Sequence, residues 1–124
     1  MKYAILLILL TLTGCGQSIT TSVIGGDIKE VVQGPVKEFS VVGRQFEFIP
    51  NMIEVNQGDT VIIRLTSADV PHGFHLQGHN INQPFADKEE VVTFVADKKG
   101  TFPFSCSILC GNSHKKMAGQ LIVK

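Results

Sequence analysis

This sequence lacks several features that would indicate a particular fold or function. It contains no tryptophan and one tyrosine, so the chain should absorb weakly in the near ultraviolet, and any visible colour would come from a metal. Eleven basic and eleven acidic residues balance, which gives no reason to expect nucleic-acid binding. There is no repeat, no low-complexity tract and no window with the period of a long amphipathic helix. An obvious combination of acid, base and nucleophile is also missing, so we expect neither catalysis by this chain alone nor a small-molecule substrate.

The longest apolar run lies at the N-terminus. Residues 4–12 follow one positive charge at Lys2, are almost entirely apolar, and end just before Thr13, Gly14 and Cys15. This pattern is typical of a secretory signal and is too short for a permanent membrane-spanning helix. Residues 12–15 also resemble the bacterial lipobox, which implies a lipoprotein signal peptide over residues 1–15. Lipidation at Cys15 would anchor the exported protein at the outer face of a bacterial membrane; an ordinary signal with an incidental cysteine is the alternative.

The remainder of the chain divides into a tether and one domain. Residues 16–36 are rich in Ser, Thr, Gly and Val without sustained periodicity, as expected of a flexible tether. Over residues 37–124, runs of Val, Ile, Phe and Thr alternate with spacers of Gly, Pro, Asn and Asp. About seven short strands of this kind predict an all-β fold, an antiparallel Greek-key β-sandwich. The predicted strands are residues 39–42, 45–49, 52–55, 60–66, 91–96, 101–105 and 120–123, and the imperfect alternation in 61–65 predicts a central, buried strand.

One short loop near the C-terminus carries most of the candidate chemistry. Cys106, Cys110, His114 and Met117 lie within twelve residues, between the strand-like runs 100–104 and 119–123. Soft or borderline transition metals select thiolate, imidazole and thioether ligands, and a Met beside Cys and His favours copper over zinc. A mononuclear blue copper site needs only one Cys, so the second thiolate could bridge a second ion. The loop therefore predicts a copper site, with two ions favoured over one.

The same two cysteines allow a simpler interpretation. Cys106 and Cys110 are the pair that remains once Cys15 is assigned to processing, and disulfides persist in exported proteins. The tight spacing of His114 and Met117 after them favours a metal site over a disulfide. Both interpretations remain open for the metal-free protein.

A copper centre in this loop also needs a ligand from elsewhere in the chain. The segment 69–79 contains three histidines, of which His72 is the best candidate. It follows a predicted buried strand at a turn that contains proline, and Gly73 allows the backbone to pack closely around it. His75 and His79 are interpreted as core or surface residues.

Together these segments resemble a known family. The combined pattern is Asp69-Val-x-His72-Gly-Phe-His75, then Asn80-Ile-Asn82, then Cys106-x3-Cys110-Gly-x2-His114-x2-Met117. It resembles the CuA domain of subunit II of cytochrome c oxidases, and most closely the small cupredoxin domains of the B-type branch. The likeness covers residues 55–124. Because subunit II normally carries its own transmembrane helix or helices, this chain is interpreted as a free-standing module on a lipid tether.

The resemblance implies a cupredoxin-like fold and a dinuclear CuA centre of two copper ions. The implied ligands are the bridging thiolates of Cys106 and Cys110, the terminal imidazoles of His72 and His114, and two weak ligands, Met117 and the main-chain carbonyl of Ile108. The implied function is electron relay from a c-type cytochrome or similar donor to a terminal haem-copper oxidase. The alternatives are a copper-delivery or assembly lipoprotein for such an oxidase, a mononuclear cupredoxin, and a part of a reductase such as nitrous oxide reductase.

Overall fold

The computed structural model describes residues 34–124. The predicted signal peptide, the lipidated Cys15 and all but the last three residues of the predicted tether lie outside this range. The first strand begins at Val36, the final residue assigned to the tether. Among the described residues, no helix is long and apolar enough to cross a membrane, and the helical content is one 3-10 turn at His114–Lys116.

The described residues form nine strands. Their bounds are β1 Val36–Arg44, β2 Glu47–Ile49, β3 Met52–Val55, β4 Thr60–Ser67, β5 His72–Leu76, β6 Ile81–Phe85, β7 Glu90–Val95, β8 Gly100–Ser105 and β9 Ala118–Val123. One sheet has the order β2-β1-β4-β7 and the other has the order β3-β9-β8-β5-β6. The all-β sandwich predicted from the sequence is confirmed. So is the central position of β4, which lies between β1 and β7.

Strand direction differs from the prediction in one pair of each sheet. β1 runs parallel to β4, and β3 runs parallel to β9, so the sandwich is mixed and not purely antiparallel. Parallel neighbours need a crossover connection. β2 and β3 supply it for the first pair, and the chain from β4 to β8 supplies it for the second.

The sequence prediction missed β5 and β6. Their sequences, HGFHL and INQPF, contain His, Gly, Asn, Gln and Pro, residues that are not enriched in strands. β5 is nevertheless an inner strand between β8 and β6. β6 is an edge strand of its sheet, a position that tolerates Pro84 although proline has no backbone N–H to donate.

Three phenylalanine rings fill the centre of the core. Phe48, Phe74 and Phe104 are at most 1% exposed, and they come from both sheets. The Phe48 ring meets Phe74 edge-on at 5.8 Å between centroids and Phe104 edge-on at 5.3 Å. Such edge-to-face pairs are favoured over face-to-face stacks. This packing holds β5 and β8 in place, and both strands lead into the site described next.

Candidate metal centre

The ends of two paired strands bring the predicted ligands to one end of the sandwich. His72 is the first residue of β5, and Cys106 directly follows β8. β5 and β8 are antiparallel, with His75 opposite Ser105, so the start of one lies beside the end of the other. The loop then returns to β9, whose first residue directly follows Met117. A backbone hydrogen bond of 3.1 Å from the Cys106 N–H to the Met117 carbonyl closes the loop at its base.

Four of the predicted donors form a row. His72 Nδ1 is 3.9 Å from Cys106 Sγ, Cys106 Sγ is 3.7 Å from Cys110 Sγ, and Cys110 Sγ is 3.7 Å from His114 Nδ1. The donor atoms of His72, Cys106 and Cys110 all lie within 4.8 Å of one another. His114 joins this group through Cys110 alone. The two thiols therefore occupy the middle of the row, with one imidazole at each end.

The two predicted weak donors lie beside the thiols. Met117 Sδ is 3.9 Å from Cys110 Sγ, and the Ile108 carbonyl oxygen is 3.1 Å from Cys106 Sγ. All six predicted donors are thus brought together. The thiols are free, and their 3.7 Å separation compares with about 2.05 Å for a disulfide. Two thiols, two imidazoles and a thioether suit copper, whereas structural zinc sites do not use a thioether.

The inner part of this site is shielded from water. His72 and Met117 are fully buried, and Cys106 and Cys110 are each 6% exposed. Burial, with the neighbouring Cys106 thiol as a smaller cause, raises the pKa of the Cys110 thiol to about 11. The thiol therefore keeps its proton at neutral pH until a metal cation displaces it. His114, which is only partly buried, is the imidazole nearer the surface.

A carboxylate fixes the orientation of His72. Asp69 Oδ1 lies 2.8 Å from His72 Nε2, so this nitrogen carries the proton and the Nδ1 lone pair faces Cys106. The Asp69 carboxylate also accepts the backbone N–H groups of Gln45, at 2.7 Å, and Val70, at 2.6 Å. The Gln45 hydrogen bond is the main cause that lowers the pKa of Asp69. The sequence analysis used Asp69 only as part of a motif, although its position three residues before His72 was a signal for this role.

The start of the loop is fixed against β5 and β6. The Ser107 N–H donates to the Gly73 carbonyl at 3.2 Å, and the Ser107 hydroxyl donates to Asn82 Oδ1 at 2.6 Å. A Cβ atom on Gly73 would lie 2.0 Å from Ser107 Oγ. The absence of a side chain at Gly73 therefore allows this close approach of the loop, which the sequence analysis did not predict.

The other two upstream histidines lie away from the donor row. His75 is half-buried, and it points to the opposite face of β5 from His72 because side chains alternate along a strand. His79 lies between two rings, with centroids 5.0 Å from Phe94 and 4.6 Å from Phe102.

Comparison with known proteins identifies the family of this chain. No protein-family model matches the chain. Over 97 residues the chain is 37% identical to cytochrome c oxidase subunit 2 of Thermus thermophilus, and the match covers 76% of this chain and 72% of that protein. The chain belongs to the cytochrome c oxidase subunit 2 family.

The chain is also similar to two other known proteins. The periplasmic domain of cytochrome oxidase subunit II from Bradyrhizobium japonicum has the same fold, with a TM-score of 0.67 at 22% identity, covering 75% of this chain and 87% of that one. Nitrous-oxide reductase of Stutzerimonas stutzeri is 35% identical over 75 residues, which make up 56% of this chain but 12% of that enzyme. Membership of the subunit 2 family and the cluster of His72, Cys106 and Cys110 together support copper binding and electron transfer.

Proposed function

We propose that this chain is an electron carrier that binds two copper ions in a dinuclear CuA centre. The observation that carries the proposal is the row of donors, in which two free thiols lie side by side between two imidazoles. A mononuclear site would use one thiolate. A second thiol in the middle of the row is the arrangement that two metal ions sharing both sulfurs require.

Each donor has a defined role in this proposal. Cys106 and Cys110 would bridge the ions as thiolates, and His72 and His114 would be the terminal ligands. Met117 and the carbonyl of Ile108 would be weak ligands, one for each ion. When bound, the copper pair would supply a one-electron redox couple whose charge is shared through the two sulfurs.

The surrounding residues favour rapid electron exchange because they limit movement and exclude water. Asp69 holds the His72 ring, and the hydrogen bonds of Ser107 hold the start of the loop against Gly73 and Asn82. The near-complete burial of both thiols and of Met117 limits the access of water to the inner part of the site. A donor set held in this way changes little between oxidation states, so little reorganisation accompanies the gain or loss of an electron.

The proposed partners follow from the family. The name of the Thermus thermophilus relative is that of an oxidase subunit. We therefore propose a c-type cytochrome or similar protein as donor and a haem-copper oxidase of the B-type branch as acceptor. Catalysis would belong to the oxidase complex. Residues 1–15 would direct export as a lipoprotein signal, Cys15 would carry the lipid, and residues 16–36 would tether the domain to the outer face of the membrane.

Stopped-flow mixing tests the proposed function. Copper-loaded protein in its oxidised state is mixed with a reduced c-type cytochrome, and the haem absorbance is followed together with the copper content of the protein afterwards. We expect one electron to be accepted per chain, with both copper ions retained. In a parallel mixture with a metal-free CuA domain, transfer of copper to that domain, without electron uptake from the cytochrome, would instead identify a copper-delivery protein. The Cys110→Ser variant is the matched control. It should not form the dinuclear centre, so its electron uptake from the cytochrome should be slower than that of wild type or absent.

A further inference from the structure

The turn between β1 and β2 packs against the middle of the copper loop, residues 106–117. Gly111 has a backbone φ of +141°, a conformation that favours glycine. A Cβ atom at this position would lie 2.8 Å from the Phe46 ring and 3.0 Å from the side-chain nitrogen of Gln45. The turn and the Cys110–Gly111 segment are therefore in direct contact.

Gln45 makes hydrogen bonds both to the copper loop and to Asp69, the residue that orients His72. Its side-chain amide donates to the Cys110 carbonyl at 2.5 Å, across 65 residues of sequence. Its backbone N–H donates to Asp69 Oδ2 at 2.7 Å, and Asp69 in turn accepts from His72 Nε2. One residue thus links the peptide unit of one central thiol to the carboxylate that orients the first imidazole.

We propose that Gln45 is a positioning residue for the copper centre. Its hydrogen bonds go to Asp69 and to the Cys110 carbonyl, and the second bond holds the backbone of Cys110 so that Sγ stays close to Cys106 Sγ, His114 Nδ1 and Met117 Sδ. The proposal rests on the proposed function, because the property that Gln45 protects is the retention of copper. Partners of this kind, bonded to metal ligands, typically change metal affinity by about 10- to 100-fold when they are removed.

The role requires a hydrogen-bond donor at this position. The Cys110 carbonyl can only accept, so an amide fits where a carboxylate of the same shape does not. Gln45→Glu therefore keeps the size of the side chain but loses the bond and places a negative charge next to a carbonyl oxygen. The backbone N–H that donates to Asp69 is present in every variant, so the substitution changes the side chain alone.

The chain contains a matched control. The Gln57 side-chain amide also donates to a backbone carbonyl, that of Asp97, at 2.9 Å. Gln57 lies shortly after β3, and its backbone N–H donates to the carbonyl of Lys124. Lys124 follows the last residue of β9, at the opposite end of that strand from Met117. Gln57→Glu therefore removes the same kind of bond at the opposite end of the sandwich.

The test compares the release of copper from the two variants. Copper-loaded, reduced protein is mixed with an excess of a Cu(I) chelator such as bathocuproine disulfonate, and formation of the coloured complex is followed. We expect Gln45→Glu to release copper about tenfold faster than wild type or more, and Gln57→Glu to remain close to wild type. Equal release rates for the two folded variants would overturn the proposal. Gln45→Ala provides the same comparison if Gln45→Glu fails to fold.

A second readout does not depend on copper. In the metal-free protein, amide hydrogen exchange of residues 110–114 should be faster in Gln45→Glu and unchanged in Gln57→Glu. Unchanged exchange in both would contradict the positioning role. If the wild-type protein binds no copper, the proposed function fails, and this exchange measurement still decides whether Gln45 holds the loop.

Discussion

At the scale of single residues, every predicted donor reaches the others through Cys106 or Cys110. The imidazole of His72 and the carbonyl of Ile108 lie beside Cys106 Sγ, and His114 and Met117 lie beside Cys110 Sγ. The two sulfurs, 3.7 Å apart, join the two groups. Loss of either thiol should therefore have a different effect from loss of a peripheral donor.

Cys110→Ser should abolish the dinuclear centre. A serine hydroxyl keeps its proton at neutral pH and is a poor copper ligand, so the variant should hold at most one copper ion. Elemental analysis and electron paramagnetic resonance measure this directly. Cys15→Ser is the matched control, because it removes a cysteine outside the proposed ligand set and should keep both ions. A Cys110→Ser spectrum identical to that of wild type would disprove the bridging role.

Met117→Leu should leave copper bound and raise the reduction potential. Leucine has nearly the same volume, so the fully buried site should lose less than about 1.5 kcal/mol of stability. The donation of the thioether to copper is lost, and this favours the reduced state. Voltammetry of the copper-loaded protein provides the measurement. Met52→Leu, at a methionine that is 53% exposed on β3, is the control and should leave the potential unchanged. An unchanged potential in Met117→Leu would show that the thioether does not act as a ligand.

At the scale of elements, the sequence predicted the strands that have ordinary strand composition. β4 and β9 are rich in Val, Ile and Leu, and their patterns were sufficient to locate them. β5 and β6 were missed because they carry the residues that build the site, among them His72, Gly73 and Asn82. Local rules fail most often where a segment is selected for function.

The proposed ligands were easier to predict from the sequence than the residues that hydrogen-bond to them. The loop donors were recognisable because they are close in sequence and chemically distinctive. The link from Asp69 through Gln45 to Cys110 was not, because Gln45 is 24 residues from one partner and 65 from the other. Neither the parallel pairing of β1 and β4 nor the contact between the β1–β2 turn and the loop follows from periodicity.

Gly73→Ala should weaken both the fold and the metal site. The added Cβ would overlap Ser107 Oγ, so the start of the copper loop must move away from β5. Overpacking of this kind typically costs about 1–3 kcal/mol. Chemical denaturation and copper competition measure the two effects. The double variant Gly73→Ala/Ser107→Ala should recover part of both losses, because the closest contact is removed. Wild-type copper affinity in Gly73→Ala would contradict the proposed fit between β5 and the loop.

At the scale of the whole molecule, copper should stabilise this small sandwich. Metal bound only by the folded state adds its binding free energy to folding, about 2.7 kcal/mol at a free concentration 100 times Kd. For a domain of this size that corresponds to a rise in Tm on the order of 10 °C or more. Calorimetry with and without copper measures the shift, and Cys110→Ser should show a smaller one. An equal Tm in both states would contradict the proposed site.

The proposed anchor predicts where the full chain is found. If Cys15 carries a lipid, Cys15→Ala should release the protein from membranes, because no other residue of the chain is proposed to hold it there. Fractionation of cells expressing each form, followed by immunodetection, gives the result. Unchanged membrane association of the variant would contradict the lipoprotein interpretation without affecting the copper site.

Copper content combined with electron paramagnetic resonance tests the central claim most directly. The full-length protein, purified in detergent with its thiols kept reduced, is reconstituted with copper, freed of excess metal and oxidised to the mixed-valence state, which has one unpaired electron. The account predicts two copper ions per chain and hyperfine splitting from two equivalent copper nuclei. One ion with a single-nucleus pattern would identify a mononuclear cupredoxin instead, and the absence of stably bound copper would contradict the proposal altogether.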